Sequence, residues 1–281
     1  MSIKITADST CDLSQELINK YDITIVPLSI VRGDESLKDG VEIFPKDIFE
    51  YVESGAGVCR TTAVNIDEYT KCFSEALKDH EAVIHFTISS DMSACYQNAL
   101  IASQEFENVY VVDSRNLSTG IGHLVLDAAI MASEGLQPGE IYDRLLVMRE
   151  KLEVSFVINT LKYLHKGGRC SAVAALGANL LQLKPCIEVK NGRMDVGKKY
   201  RGSFEKCIMQ YVDDRLKGRE DLDLRRIFVT STADTDKKLL EAVVARVKEL
   251  ANFAEVLQTT AGGTISCHCG PNCLGLLFYR K

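Results

Sequence analysis

The stretch "AVIHFTISSDMSACYQNA" (82–99) changes character twice. Residues 82–88 are rich in β-branched and aromatic side chains, the composition of a buried strand. A run of small hydroxyl residues follows, and from Ser93 to about 106 the spacing becomes helical. A strand that feeds a helix through a small-residue loop is the repeating unit of an α/β fold, with parallel strands and helices on both faces.

The same alternation extends both ways. Toward the N-terminus, Ile3-Lys4-Ile5 reads as a strand, Ser14 as the cap of a helix bearing Leu17, Ile18 and Tyr21, and "ITIVPLSIV" (23–31) as one buried strand bent at Pro27. Pro45 opens a helix where its missing N–H costs nothing. Ile66, Tyr69, Phe73 and Leu77 keep helical spacing. Toward the C-terminus, "VYVVDS" (109–114) is a strand, followed by a long apolar helix from about Ser118. Past Val154 the pattern changes. "KGGR" (166–169) leads to a helix-like segment, and Asn191-Gly192 between two β-like runs is a hairpin signal. A helix at 203–217, a strand at 226–230, a helix at 235–250 and a strand at 274–279 complete the chain. The expectation is two α/β domains, residues 1–153 and 154–281, with mainly parallel sheets.

Composition bounds the function. The chain has 281 residues, 46% hydrophobic and 26% charged, enough to bury a core without staples. Its 10 cysteines are scattered, several inside apolar runs, and no hydrophobic leader opens the sequence, so they read as reduced thiols in a cytoplasmic protein. The longest apolar run, 172–183, is too short and too often interrupted to span a membrane. A net charge of −6 argues against general nucleic-acid binding. The charge is uneven, however: residues 162–206 carry ten Lys or Arg against three acids, or +7, leaving −13 for the rest. Such a belt fits an anionic ligand or an acidic partner, or else is a solvated face. There is no G-x-x-x-x-G-K-[ST], and "GIGHLV" (120–125) lacks the third glycine of a dinucleotide fingerprint, so kinase and nicotinamide readings lack a motif.

Three strand-to-loop junctions are rich in hydroxyls: "ADSTCD" (7–12), "TISSDMSACYQNA" (87–99) and "DSRNLSTGIG" (113–122). Ligands of open α/β sheets bind beyond the carboxyl ends of the strands, where helix N-termini favour anions. Ser93 is placed to hold a carboxylate or phosphate oxygen; taken alone, each Ser is equally a helix cap. In "KGGRC" (166–170) the glycines permit close backbone approach, and Arg169 is either an anion fork or a solvated residue after a helix C-cap. "SCHCGPNC" (266–273) allows three readings. A zinc site would need four converging ligands, normally in two separated pairs. A thiol nucleophile, Cys267 or Cys269 with His268 as base, would serve an acyl thioesterase or transferase. In the third, Gly270-Pro271 makes a turn and His268 a hydrogen-bonding group at a cleft rim, with the cysteines filling space.

These pieces, in this order, resemble the DegV family of bacterial fatty-acid-binding proteins. The resemblance spans nearly the whole chain through "ITADSTCDL" (5–13), "TTAVN" (61–65), "SSDMSACYQ" (89–97), "DSRNLSTGIG" (113–122), "LKYLHKGGR" (161–169), "LKP" (183–185), the Arg-Gly of "KYRGSFEK" (199–206) and "HCGPN" (268–272). Ala94 and Cys95 replace the family's Gly and Thr, Val64 its Pro, and Asn272 its last Gly. The resemblance implies a tunnel at the domain junction holding one long-chain fatty acid, with no cofactor and no catalysis by the protein itself. It implies a carboxylate held by Thr61, Thr62, Ser93 and His268, and Arg169 and Arg201 near the head group or a partner. The implied partner is a separate ATP-dependent fatty-acid kinase, whose acyl phosphate feeds phospholipid synthesis.

Overall fold

The computed structural model describes residues 2–170 and 183–281, and the helix-like segment expected after "KGGR", with most of the apolar run 172–183, lies outside them. β1 (Ile3–Asp8) leads through a 3-10 turn to α1 (Gln15–Lys20), whose cap Ser14 accepts a hydrogen bond from Leu17 N as its sequence position implied. The run 23–31 is two strands rather than one. β2 (Thr24–Val26) joins the first sheet and β3 (Ser29–Arg32) a second, small one, because Pro27 between them has no N–H to donate to either ladder. β4 (Glu35–Lys38) and β5 (Arg60–Thr62) complete that antiparallel sheet, in the order β4-β3-β5, with α2 (Pro45–Glu53) between them in the chain.

The repeating units come next: α3 (Ile66–Asp79), β6 (Ala82–Thr87), α4 (Cys95–Ser103), β7 (Val109–Asp113), α5 (Thr119–Ser133) and α6 (Pro138–Met148). The first sheet runs β2-β1-β6-β7 and is parallel throughout, with β6 buried at every position, as strands covered on both faces must be.

The last part of the chain builds β8 (Leu152–Ile158), α7 (Lys162–Gly167), β9 (Leu183–Lys190), β10 (Arg193–Arg201), α8 (Phe204–Leu216), β11 (Leu222–Ser231), α9 (Lys237–Leu250), β12 (Glu255–Thr260), α10 (Gly263–Cys269) and β13 (Cys273–Arg280). Their sheet, β10-β9-β8-β13-β11-β12, departs from the expected parallel arrangement: only β11 and β12 are parallel. The hairpin at Asn191-Gly192, with φ of 51° and 82°, forces β9 and β10 to run antiparallel. β13 then enters the middle of the sheet against both β8 and β11.

α5 explains why the two large sheets share a core. It is buried on nearly every side and packs on β1 and β6 of the first sheet and on β8 and β13 of the other. One apolar cluster therefore contains Ile84 and Phe86 together with Phe156 and Leu277. No described helix is long and apolar enough to cross a membrane.

Candidate functional site

The carboxyl ends of the parallel strands open into loops fixed by buried carboxylates. Asp8, at the end of β1, accepts from Tyr69 Oη (2.7 Å) and Ile88 N (3.2 Å). Asp113, at the end of β7, accepts from Ser90 N (3.1 Å) and Ser90 Oγ (2.6 Å). The loop before α4 is thus tied to the strands on either side. The β9–β10 hairpin docks onto it from the other sheet: Ser89 Oγ donates to Gly192 O (2.7 Å), Arg193 pairs with Asp91 (2.7 Å), and Arg115 donates to Asn191 O (2.8 Å).

Between these parts lies a cavity of about 230 Å³. Its apolar wall includes Leu28, Leu117, Phe156, Leu164, Met194 and Leu277. The lining residues that reach solvent, Thr62, Ala94 and Arg169, mark the mouth. The cavity also brings Thr61, Ser93 and His268 together from β5, the loop before α4 and α10. Five of the six residues singled out in the sequence thus converge. Arg201, exposed at the end of β10, does not line the cavity.

His268 is the pivot of the mouth. A hydrogen bond of 2.9 Å joins its Nε2 to Thr61 Oγ1, across 207 positions of sequence. Burial, and secondarily the Arg169 charge, pushes its pKa down to about 4, so the imidazole is neutral near pH 7. Nδ1 is buried with no hydrogen-bond partner among the described residues. Gly167 backs it so closely that a Cβ at 167 would overlap Nδ1. This is the close approach that the paired glycines of "KGGR" allowed, while Gly168, at φ 66°, supplies the helix C-cap. Ser93 Oγ accepts from Cys95 N (3.3 Å) and rests its hydrogen on Cys95 Sγ (3.2 Å).

Two carboxylates outside the six residues singled out in the sequence hold α10 in place. Asp39 accepts from Gly263 N (2.9 Å), Thr264 N (3.1 Å) and Ser9 Oγ (2.9 Å). Asp12 accepts from Gly262 N (2.8 Å) and Ser118 Oγ (2.5 Å), and burial raises its pKa to about 8. Asp12 lies in the "ADSTCD" junction noted in the sequence, whereas nothing in the sequence marks Asp39.

The cysteines of "SCHCGPNC" do not converge. Cys267 packs beside Cys59, and this contact, with burial, pushes its thiol well up; Cys269 donates to Ile265 O (3.0 Å) and lies against Cys273. Neither thiol is hydrogen-bonded to His268, so the geometry does not support the thioesterase or transferase reading. Among the described residues no group of three or more His, Cys, Asp or Glu is placed to hold a metal ion. Asn272 takes φ 52°, the left-handed conformation a glycine would enter freely, and Asp234 braces it through its N–H and side-chain amide.

These features define a mixed α/β protein with an apolar cavity whose hydroxyls and imidazole meet at the mouth. The DegV family model matches residues 2–281. A DegV domain-containing protein of Clostridium perfringens is 31% identical over 99% of both chains. Among solved structures, a fatty-acid-binding DegV family protein from Thermus thermophilus superposes with TM-score 0.89 at 30% identity, covering 100% of both chains. A stearic-acid-binding protein from Eubacterium ventriosum gives TM-score 0.84 at 25% identity, covering 99% of this chain and 98% of the other. The chain belongs to the DegV family.

Proposed function

We propose that this protein binds one long-chain fatty acid and is not itself a catalyst. The acyl tail occupies the cavity, as a tunnel between lobes 1–153 and 154–281, and the carboxylate lies at the mouth on Thr61, Thr62, Ser93 and His268. The observation that carries this reading is the 2.9 Å Thr61–His268 bond at the mouth of an apolar cavity. Fatty-acid binding by the Thermus thermophilus and Eubacterium ventriosum relatives supports it.

The chemistry is consistent at both ends. Each buried methylene contributes about 0.8 kcal/mol, so a long tail supplies most of the affinity. A carboxylate leaving water needs donors. With His268 donating through Nε2, the Thr61 hydroxyl hydrogen is released toward a carboxylate oxygen. Ser93, already accepting from Cys95 N, can turn its hydrogen to the same group. Arg169 adds positive charge at the rim.

The carboxylate is then available to a separate, cytoplasmic ATP-dependent fatty-acid kinase, with Arg169 and Arg201 facing that partner, and the acyl phosphate enters phospholipid synthesis. The basic belt of residues 162–206 suits both the acyl phosphate and an acidic partner surface. Mass spectrometry of solvent-extracted native protein should find a bound C14–C20 acid. No such acid, together with no uptake of added fatty acid, would sink the reading. With ATP and a purified kinase catalytic protein, the bound acid should be trapped by hydroxylamine as its hydroxamate, and no hydroxamate would remove the kinase step alone.

A further inference from the structure

The polar groups at the mouth account for a carboxylate, but the cavity carries hydroxyls beyond them. Ser118, Thr230, Ser231, Thr232 and Thr264 all line it, and each is at least nine-tenths buried. Most of these hydroxyls have partners. Ser118 donates to Asp12, Thr230 sits between Thr119 (2.6 Å) and Thr259 (3.0 Å), and Thr232 Oγ1 accepts from Cys273 N (3.0 Å). Thr264 differs. It is 3% exposed, and its Oγ1 has no hydrogen-bond partner among the described residues.

A buried, unpaired hydroxyl is a standing cost, because nothing returns the hydrogen bonds it lost on leaving water. A ligand oxygen opposite it removes that cost. Sites that pair with a ligand hydroxyl discriminate strongly against analogues lacking it. The position of that oxygen follows from α10. Thr264 and His268 are four residues apart on one helix, so they lie on the same face, about 6 Å along its axis. With the carboxylate at His268, the second oxygen falls in the carboxyl-proximal part of the chain rather than at its tail.

We propose that the preferred ligand is an oxygenated long-chain acid, with a hydroxyl near its carboxyl end hydrogen-bonded to Thr264 Oγ1. This rests on the fatty-acid reading above. The test is displacement of a fluorescent fatty acid by stearate, by stearate hydroxylated at carbon 3, 5 or 7, and by 12-hydroxystearate. At least one carboxyl-proximal hydroxystearate should bind the parent about tenfold more tightly than stearate, and 12-hydroxystearate should show no such gain. Thr264→Val should bring that ratio to about one, and Thr264→Ser should keep it. Stearate binding as well as every carboxyl-proximal hydroxy acid in the parent overturns the proposal and leaves fatty-acid binding standing. A preference that survives Thr264→Val also overturns it. Failure of every acid to bind overturns both readings.

Discussion

His123 and His268 share most of their local chemistry and none of their surroundings. Each imidazole uses Nε2 for one hydrogen bond of 2.9 Å, His123 with Leu277 O and His268 with Thr61 Oγ1. Each leaves Nδ1 buried without a partner among the described residues. Burial pushes both pKa values down, to about 3 for His123 and about 4 for His268. Yet His123 is wedged edge-on between Phe228 (4.8 Å) and Tyr279 (4.9 Å) inside the core, whereas His268 opens on a cavity beside hydroxyls from two other elements. A desolvated, neutral imidazole is therefore not by itself the mark of a site. The open volume and convergent donors are what separate the two.

Substitution should pull them apart further. His123→Ala removes a ring packed on all sides and should cost about 3 kcal/mol of stability, read from denaturant midpoints. If His123→Ala instead melts like the parent and loses ligand, the comparison fails. Acid should expose the core histidine next. Unfolded, the imidazole titrates near 6.5; folded, His123 titrates near 3. Between those values the unfolded chain binds more protons, so stability attributable to this group is complete above pH 6.5 and lost as pH falls, about 2 kcal/mol by pH 5. The stability gap between parent and His123→Leu should narrow by about that amount from pH 7 to pH 5, and a constant gap would refute the assignment.

His268→Ala should act on binding instead. Fatty-acid affinity should fall about ten- to thirtyfold in a displacement assay, while stability changes by less than about 1 kcal/mol. Collapse of stability with intact affinity would make His268 a core residue like His123. Gly167→Ala is subtler, since it leaves every donor in place and only crowds Nδ1. It should weaken binding about fivefold by turning the ring away from Thr61, and unchanged affinity would show that the ring does not need its backing.

Much of the fold was legible because hydrophobic period and turn chemistry are local. The all-buried β6, the largely apolar α5 and the positive-φ Asn191-Gly192 turn each declare themselves within a few residues. Strand direction in the six-stranded sheet was not, because the partner of β13 is fixed by tertiary packing over more than a hundred residues. The single strand expected at 23–31 failed for a different reason: Pro27 does not bend a strand there but divides it between two sheets. At the site, Thr61, Ser93, Arg169 and His268 were reachable through ordered motifs, and no period or spacing in the chain would have paired Thr61 with His268. Thr264 and Asp39 carried no comparable signal. A hydroxyl in a short helix and one acid among 39 become informative only when an unpaired atom or a row of backbone donors is seen beside them.

The central place of β13 has a consequence for how the protein is made. The strand that fills the gap between β8 and β11 follows both of them in the chain, so it leaves the ribosome after they do. Until it arrives, both neighbours present open edges, and α10, just before it, has no finished sheet to rest on. Nascent chains with such unpaired edges invite wrong pairings, which is the hazard that chaperones meet. The parallel sheet can close early, but the cavity, which Cys273, Gly275 and Leu277 help to line, is complete only once β13 has paired, so ligand capture waits on that strand.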